Sequence, residues 1–174
     1  MNAVMLDLET WGTEVGCDIR SIGAVLFNPE TGHIIDQFYV ATEDGESFGL
    51  TRDPSTVKWW SEQDSKAQGA FETRVALPEA LLAFSEWFGR QPFFGECLPL
   101  WCKGPHFDEV ILKQVYKSVG MKHPWHYRAP RDFRTIMELA EWPETSRKGV
   151  YHHALDDAIT QAEAVSLAYQ IIRG

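Results

Sequence analysis

The opening segment of the chain places two carboxylates within an alternating apolar pattern. Val4, Leu6 and Leu8 fall on one face of an extended chain, because side chains in a strand alternate with a period of two. Asp7 and Glu9 fall together on the opposite face, roughly 7 Å apart at about 3.3 Å per residue. Two anions this close beside a core repel each other and lose hydration, and a divalent cation with oxygen ligands is the simplest compensation. The alternative is a strand that ends at Asp7, with Glu9 in the following turn.

The composition is that of an ordinary globular protein. The 174 residues suit a single domain, 1–174, and 44% hydrophobic residues are enough for a sizeable core. The sequence has neither an apolar run of the ~20 residues that a membrane span needs nor the features of a signal peptide. Its three cysteines, Cys17, Cys97 and Cys102, lack the paired spacing of a zinc site, which favours reduced thiols. We therefore expect a cytoplasmic protein with no membrane partner.

Turn residues and helix-capping residues divide the chain into short elements. Strands are predicted over 3–10, 19–28, 33–42 and 98–102. Helices are predicted over about 54–66, 77–88, 107–119, 133–140 and 153–172. The turn at 28–32 makes the second and third strands a hairpin, and Asp53 before Pro54 is a typical helix N-cap. A meander followed by helices alternating with strands predicts an α/β fold, with a mixed sheet flanked by helices.

The charge of the chain is uneven along its length. The net charge of −9 argues at first against a nucleic-acid partner. Residues 113–148 nevertheless contain eight Lys or Arg and four Asp or Glu, which is a local charge of +4. A local basic stripe can bind phosphates although the whole chain is acidic. The alternative, a set of solvated helix faces, is not rejected by charge alone.

Two further groups of acidic residues lie at the starts of predicted helices. Asp108 opens one helix, and Asp156 and Asp157 follow His152 and His153 at the start of the last. Each group alone has a structural explanation, because Asp108 can cap its helix and first-turn acids suit the helix dipole. A histidine near a helix start is commonly a polar surface residue. The order of the three motifs along the chain is what indicates a function.

Together these motifs resemble a known superfamily. Asp-x-Glu-Thr at 7–10, Phe-Asp at 107–108 and His-x-x-x-x-Asp at 152–157 are similar to the three motifs of the DEDDh (DnaQ-like) 3′-5′ exonucleases. Four segments further resemble a narrower group of small bacterial, phage and prophage exonucleases that includes a mycobacterial 3′-5′ exoribonuclease: 57–60, 101–108, 131–135 and 152–158. The resemblance implies an RNase H-like fold and two divalent metal ions.

The resemblance also implies a role for each motif residue. The implied metal ligands are Asp7, Glu9, Asp108 and Asp157, and the implied general base is His152. Two ions about 3.5–4 Å apart, Mg²⁺ or Mn²⁺, stabilise the attacking hydroxide and the leaving oxyanion of phosphodiester hydrolysis. A neutral imidazole, with a reference pKa near 6.5, can accept the proton of water around pH 7. His152 lies five residues before Asp157, as the motif requires. His153 lies five residues before Ala158, which cannot bind a metal.

Seven other residues are expected to contact nucleic acid: Thr10, Trp11, Trp59, Trp60, Arg128, Arg131 and Arg134. Tryptophan rings can stack on bases and guanidinium groups can bind phosphates. Trp59 and Trp60 can equally pack along a helix, with one in the core and one exposed. The arginines can instead pair with neighbouring acids.

The resemblance therefore implies a two-metal-dependent 3′-to-5′ exonuclease that releases nucleoside 5′-monophosphates from a free 3′ end. The expected partner is single-stranded nucleic acid or a 3′ overhang. RNA is favoured over DNA by the resemblance alone, since no motif indicates a contact to the 2′-hydroxyl. The alternatives are an RNase H-type endonuclease and a non-catalytic nucleic-acid-binding module. Related exonucleases often dimerise, which makes a homodimer an alternative to a monomer.

Overall fold

The structure is a computed structural model that describes residues 2–69, 71–93, 95, 97–104 and 106–174. Within these ranges six strands form one mixed sheet with helices on both faces. The strands are β1 (Ala3–Thr10), β2 (Ile19–Phe27), β3 (Ile34–Glu43), β4 (Arg74–Ala76), β5 (Leu100–Cys102) and β6 (Pro130–Asp132). The helices are α1 (Pro54–Ser61), α2 (Ser65–Gly69), α3 (Leu77–Gly89), α4 (Asp108–Ser118), α5 (Phe133–Leu139) and α6 (Ala154–Arg173).

The sheet has the strand order β4-β3-β2-β1-β5-β6. The predicted meander is present, because β1, β2 and β3 are antiparallel neighbours. The three short strands β4, β5 and β6 are each parallel to the strand beside them. The predicted α/β fold with a mixed sheet flanked by helices is confirmed.

Apolar side chains pack on both faces of the sheet. Val4, Leu6 and Leu8 of β1 face a core that includes residues of α3 and α4. Met5 faces a second core that includes residues of α5 and α6. Since side chains alternate along β1, Asp7 lies on the same side as Met5, beneath α6. No helix among the described residues is both long enough and apolar enough to cross a membrane.

The first turn of α6 lies directly on β2. Gly23 pairs with Asp7 across the sheet, and a Cβ at Gly23 would lie 2.1 Å from the carbonyl carbon of Ala154. Only a residue without a side chain allows this approach of two backbones. The contact therefore fixes the start of α6 beside the acidic end of β1.

The structure corrects some predicted boundaries. The helix predicted over 54–66 is divided into two, because α1 ends at Ser61 and Asp64 caps α2. The Oδ1 atom of Asp64 accepts hydrogen bonds of 2.9 Å from the backbone N–H groups of Lys66 and Ala67. The sequence pattern missed β4 and β6, since these three-residue strands lack the apolar run that indicated the equally short β5. The predicted N-cap Asp53 is confirmed, because it accepts hydrogen bonds from the N–H groups that open α1.

Candidate active site

A cleft of about 930 Å³ lies where the acidic end of β1 meets the starts of α4 and α6. It is lined by all five residues predicted to be catalytic: Asp7, Glu9, Asp108, His152 and Asp157. Three segments that are remote in sequence therefore meet at one site. The sheet supplies two carboxylates, and the two helices supply the others from their first turns.

Three of the carboxylates form a tight cluster. Asp7, Glu9 and Asp157 each offer one oxygen, and these oxygens lie within 4.8 Å of one another. Asp108 lines the same cleft outside this cluster, and its Oδ1 accepts a 3.1 Å hydrogen bond from the backbone N–H of Leu8. That bond ties the start of α4 to β1. The donor set consists of hard oxygen atoms, which is the type that Mg²⁺ and Mn²⁺ prefer.

The electrostatics of the cluster also fit a bound cation. Burial raises the pKa of Asp7 well above its usual range, and repulsion from Asp108, Glu9 and Asp157 raises it further. Burial, then repulsion from Asp157, raises the pKa of Glu9 to about 8. Burial raises the pKa of Asp108 to about 7, although backbone N–H groups oppose the shift. A divalent ion would counter both the loss of hydration and the repulsion.

Two polar side chains not predicted from the sequence hold the cluster in place. Gln161 donates a 2.6 Å hydrogen bond from Nε2 to Oδ1 of Asp7. Arg147 forms an ion pair with Asp157, and its Nη2 donates a 2.6 Å hydrogen bond to the carbonyl of Val150. The sequence does contain a signal for Gln161, because it lies one helical turn after Asp157 and therefore on the same face of α6. Arg147 lies in a loop and has no such signal.

The two adjacent histidines occupy different environments. His153 is the N-cap of α6; its Nδ1 accepts a 3.4 Å hydrogen bond from the N–H of Asp156, and its ring stacks on Tyr39 at 4.4 Å. His152 lines the cleft and has a φ of +61°. Its ring lies edge-on to that of Trp59, with 4.8 Å between the centroids. His153 thus has a structural role, while His152 stays the predicted general base.

The adjacent tryptophans are divided between the surface and the core, as predicted. Trp59 is 40% exposed beside His152. Trp60 is 2% exposed, and its Nε1 donates a 2.8 Å hydrogen bond to the carbonyl of Thr10. Trp59 is therefore partly open to solvent outside the cleft lining, and its predicted contact with a base stays a prediction, whereas Trp60 supports the end of β1.

Thr10 and Trp11 already make contacts within the protein. The Thr10 hydroxyl donates a 2.6 Å hydrogen bond to the carbonyl of Gly12. The Trp11 ring contacts the guanidinium groups of Arg20 and Arg52, at 4.3 and 4.8 Å from its centroid. Neither residue lines the cleft. Their predicted contacts with a terminal nucleotide stay predictions.

The three predicted arginines lie in different places. Arg134 is exposed and lines the cleft. Nη1 of Arg131 instead donates hydrogen bonds of 2.6, 3.1 and 2.9 Å to the carbonyls of residues 128–130. Nε of Arg128 donates a 2.9 Å hydrogen bond to the hydroxyl of Tyr127. Because Arg128 and Arg131 lie outside the cleft lining, only Arg134 is placed to meet a phosphate there.

Lys103 and His106, which the motifs did not indicate, also line the cleft. Both precede Asp108 by a few residues, and that proximity to a motif is the signal that could have identified them. Lys103 adds a positive charge to the lining of an acidic site. The cleft therefore combines oxygen ligands for a cation with cationic groups for a phosphate.

The family of the chain follows from a comparison with family models. The model described as the 3′-5′ exoribonuclease Rv2179c-like domain matches residues 2–169. The chain belongs to this family. The match confirms the resemblance to 3′-5′ exonucleases that the motifs indicated. No curated protein matches the chain significantly.

Solved structures show that this Rv2179c-like domain has the fold of DEDDh exonucleases. E. coli exonuclease I in complex with a dT13 oligonucleotide is similar with a TM-score of 0.67 and 12% identity, over 99% of this chain and 41% of that one. The nuclease domain of 3′hExo, a DEDDh family member bound to rAMP, has a TM-score of 0.62 and 16% identity, over 97% of this chain and 92% of that one. The chain thus spans less than half of exonuclease I. The predicted RNase H-like fold is confirmed.

Proposed function

We propose that residues 1–174 form a single 3′-5′ exonuclease domain that uses two divalent metal ions, Mg²⁺ or Mn²⁺. The observation that carries the proposal is the convergence of Asp7, Glu9 and Asp157 within 4.8 Å, in a cleft that Asp108 and His152 also line. The family description as an exoribonuclease domain supports the same activity. The non-catalytic alternative is disfavoured because every catalytic position is filled.

The carboxylates and the histidine have separate tasks in this mechanism. Asp7, Glu9, Asp108 and Asp157 would hold the ions, which when bound stabilise the charge that develops on the attacking and leaving oxygens. His152 accepts a proton from the attacking water. Its ring is packed edge-on against Trp59, which restricts the directions in which the imidazole can point.

The bond that breaks determines the product. The water oxygen bonds to phosphorus as the bond to the 3′ oxygen of the preceding nucleotide breaks. The terminal nucleotide leaves as a 5′-monophosphate, and the shortened strand keeps a 3′-hydroxyl. Arg134, Lys103 and His106 line the cleft where they can bind the phosphates of this strand.

We propose RNA as the preferred substrate, in single-stranded form or as a 3′ overhang. The family description favours RNA, whereas exonuclease I of the same fold is seen with a DNA oligonucleotide. We also propose a cytoplasmic location, which the free cysteines Cys17, Cys97 and Cys102 support.

The test is digestion of matched 5′-labelled single-stranded RNA and DNA with Mg²⁺, with Mn²⁺ or with EDTA. We expect a ladder that shortens from the 3′ end, faster with RNA, and no hydrolysis in EDTA. A circular RNA of the same sequence is the matched control, because an exonuclease needs an end. Cleavage of the circle would indicate an endonuclease. Immediate release of the 5′ label as a mononucleotide would reverse the proposed direction.

A further inference from the structure

A second groove, of about 700 Å³, runs along α4 and the loop that follows it. Three lysines line it, Lys113, Lys117 and Lys122, together with the apolar side chains of Val15 and Met121. The described residues that form its lining include no aspartate or glutamate. The groove is therefore basic, although the whole chain carries a net charge of −9.

The lysines of this groove are not neutralised by the protein. Lys113, Lys117 and Lys122 are all exposed, and in the described ranges none of them forms an ion pair. Lys148, by contrast, lies 3.7 Å from the carboxylate of Glu163. Unpaired like charges collected in one groove create a positive potential that attracts an anionic partner.

The groove begins beside the catalytic cleft. Asp108, the first residue of α4, lines the cleft, whereas Lys113 and Lys117 on the same helix line the groove. At 1.5 Å and about 100° per residue, these lysines lie about 8 and 14 Å from Asp108 along the helix axis, on the outer face of the helix. The cleft and the groove adjoin at the loop after β1, because Thr13 lines the cleft and Val15 lines the groove. A strand that leaves the cleft over the loop at 13–15 would therefore reach the groove on the outer face of α4.

The chemistry of the groove fits a nucleic-acid strand. Lys113 and Lys117 are separated by about 6 Å along the helix axis, so they can meet successive charges of an extended polyanion. Val15 is 54% exposed and supplies an apolar surface to which a base can pack. An acidic peptide offers the charges but lacks the planar bases, and it would have no reason to follow the path from the cleft.

We propose that this groove binds the phosphates of the substrate strand on the 5′ side of the nucleotide being removed. The proposal rests on the proposed exonuclease function, which places the 3′ end of the strand in the cleft. The groove then binds only substrates long enough to reach α4. It contributes to affinity for long strands and leaves the hydrolysis of the shortest substrates unaffected.

The test compares the double variant Lys113→Glu/Lys117→Glu with wild type on 5′-labelled RNAs of 2, 4, 8 and 16 nucleotides. A matched control is Lys66→Glu/Arg90→Glu, which makes the same change in charge at exposed residues outside both cleft and groove. We expect KM of the groove variant to rise about tenfold for the two longest RNAs, with kcat and the dinucleotide KM unchanged. The slope of log KM against log salt should fall by about 1.4, for two phosphate contacts at about 0.7 each.

Several results would overturn the proposal. Equal KM values for the groove variant and the wild type at all RNA lengths would show that the substrate strand does not contact the groove. An equal loss for the dinucleotide would show an effect on the cleft, and an equal loss in the control variant would show an effect of net charge.

Binding of a labelled 16-nucleotide RNA in EDTA, followed by fluorescence anisotropy, separates the two proposals. If the wild-type protein hydrolyses no RNA, the proposed function is wrong. If the groove variant still binds the RNA more weakly than both the wild type and the control variant, the proposal that the groove binds RNA is supported. Equal binding by all three proteins overturns the groove proposal.

Discussion

The adjacent histidines allow a test in which stability and turnover respond separately. His153 caps α6 and stacks on Tyr39, whereas His152 lines the cleft. We therefore expect His153→Ala to lower the free energy of unfolding with little change in kcat. We expect His152→Asn to lower kcat with little change in stability. Asparagine is chosen because it tolerates the left-handed backbone, φ +61°, that His152 adopts.

The contacts of each residue set the expected magnitudes. Loss of an N-cap costs about 0.5–2 kcal/mol, and the 3.4 Å hydrogen bond to Asp156 places His153 at the lower end. Loss of the aromatic stack on Tyr39 adds about 0.5–1.5 kcal/mol. A total of about 1–2 kcal/mol lowers Tm by roughly 2–8 °C for a chain of this size. Removal of a general base slows turnover by about 10²–10⁴-fold.

Three measurements distinguish the roles of the histidines. Thermal unfolding gives Tm, turnover of labelled RNA at saturating Mg²⁺ gives kcat, and calorimetric titration with Mg²⁺ shows whether the metal site is intact. His152→Asn should keep its metal affinity, because His152 is not a proposed ligand. If His153→Ala is inactive at an unchanged Tm while His152→Asn is active, the general-base assignment is wrong. The assignment of Asp157 as a ligand would then need revision as well.

Three further predictions concern the metal cluster and its support. EDTA should abolish hydrolysis, and activity in the presence of the chelator would contradict the metal mechanism. The Asp7→Asn variant should also be inactive, but its Tm should not fall, because the substitution removes a buried carboxylate that its neighbours repel. The metal-free protein should lose stability as pH rises from about 5 to 8, because the raised pKa values of Glu9 and Asp108 mean that the folded state binds more protons there. The test is to measure Tm in EDTA across this pH range, and Mg²⁺ should reduce the fall in Tm. A Tm that does not change with pH would refute the prediction. Gly23→Ala should cost about 1–3 kcal/mol in urea unfolding, because its Cβ would overlap the backbone of Ala154; unchanged stability would show that α6 can shift.

The parts of the fold that were predictable from sequence depend on local signals. The alternation in β1 and the turn at 28–32 are encoded by neighbouring residues, and both appear as expected. The catalytic motifs were also local, because each lies at the end of a strand or the start of a helix. The prediction that one of Trp59 and Trp60 is buried followed from helix packing alone, and the structure identifies it as Trp60.

The rest depends on contacts between distant residues. Gln161 meets Asp7 across 154 positions, and Leu8 meets Asp108 across 100, so neither contact leaves a trace in a local pattern. The three-residue strands β4 and β6 are defined by the neighbours to which they bind rather than by their own sequence. The signal for the division between α1 and α2 was present in Asp64, but a continuing helical pattern obscured it.

The contacts of Arg131 have a consequence for how the molecule avoids aggregation. β6 is one of the two edge strands of the sheet, with β4 at the other edge, and an edge strand normally offers free backbone groups to another chain. Here Pro130 has no N–H to donate, and its carbonyl already accepts a hydrogen bond of 2.9 Å from Arg131. The guanidinium also adds charge where a further strand would have to pair. Arg131, which the sequence suggested as a phosphate ligand, thus protects this edge of the sheet from being extended by a second copy.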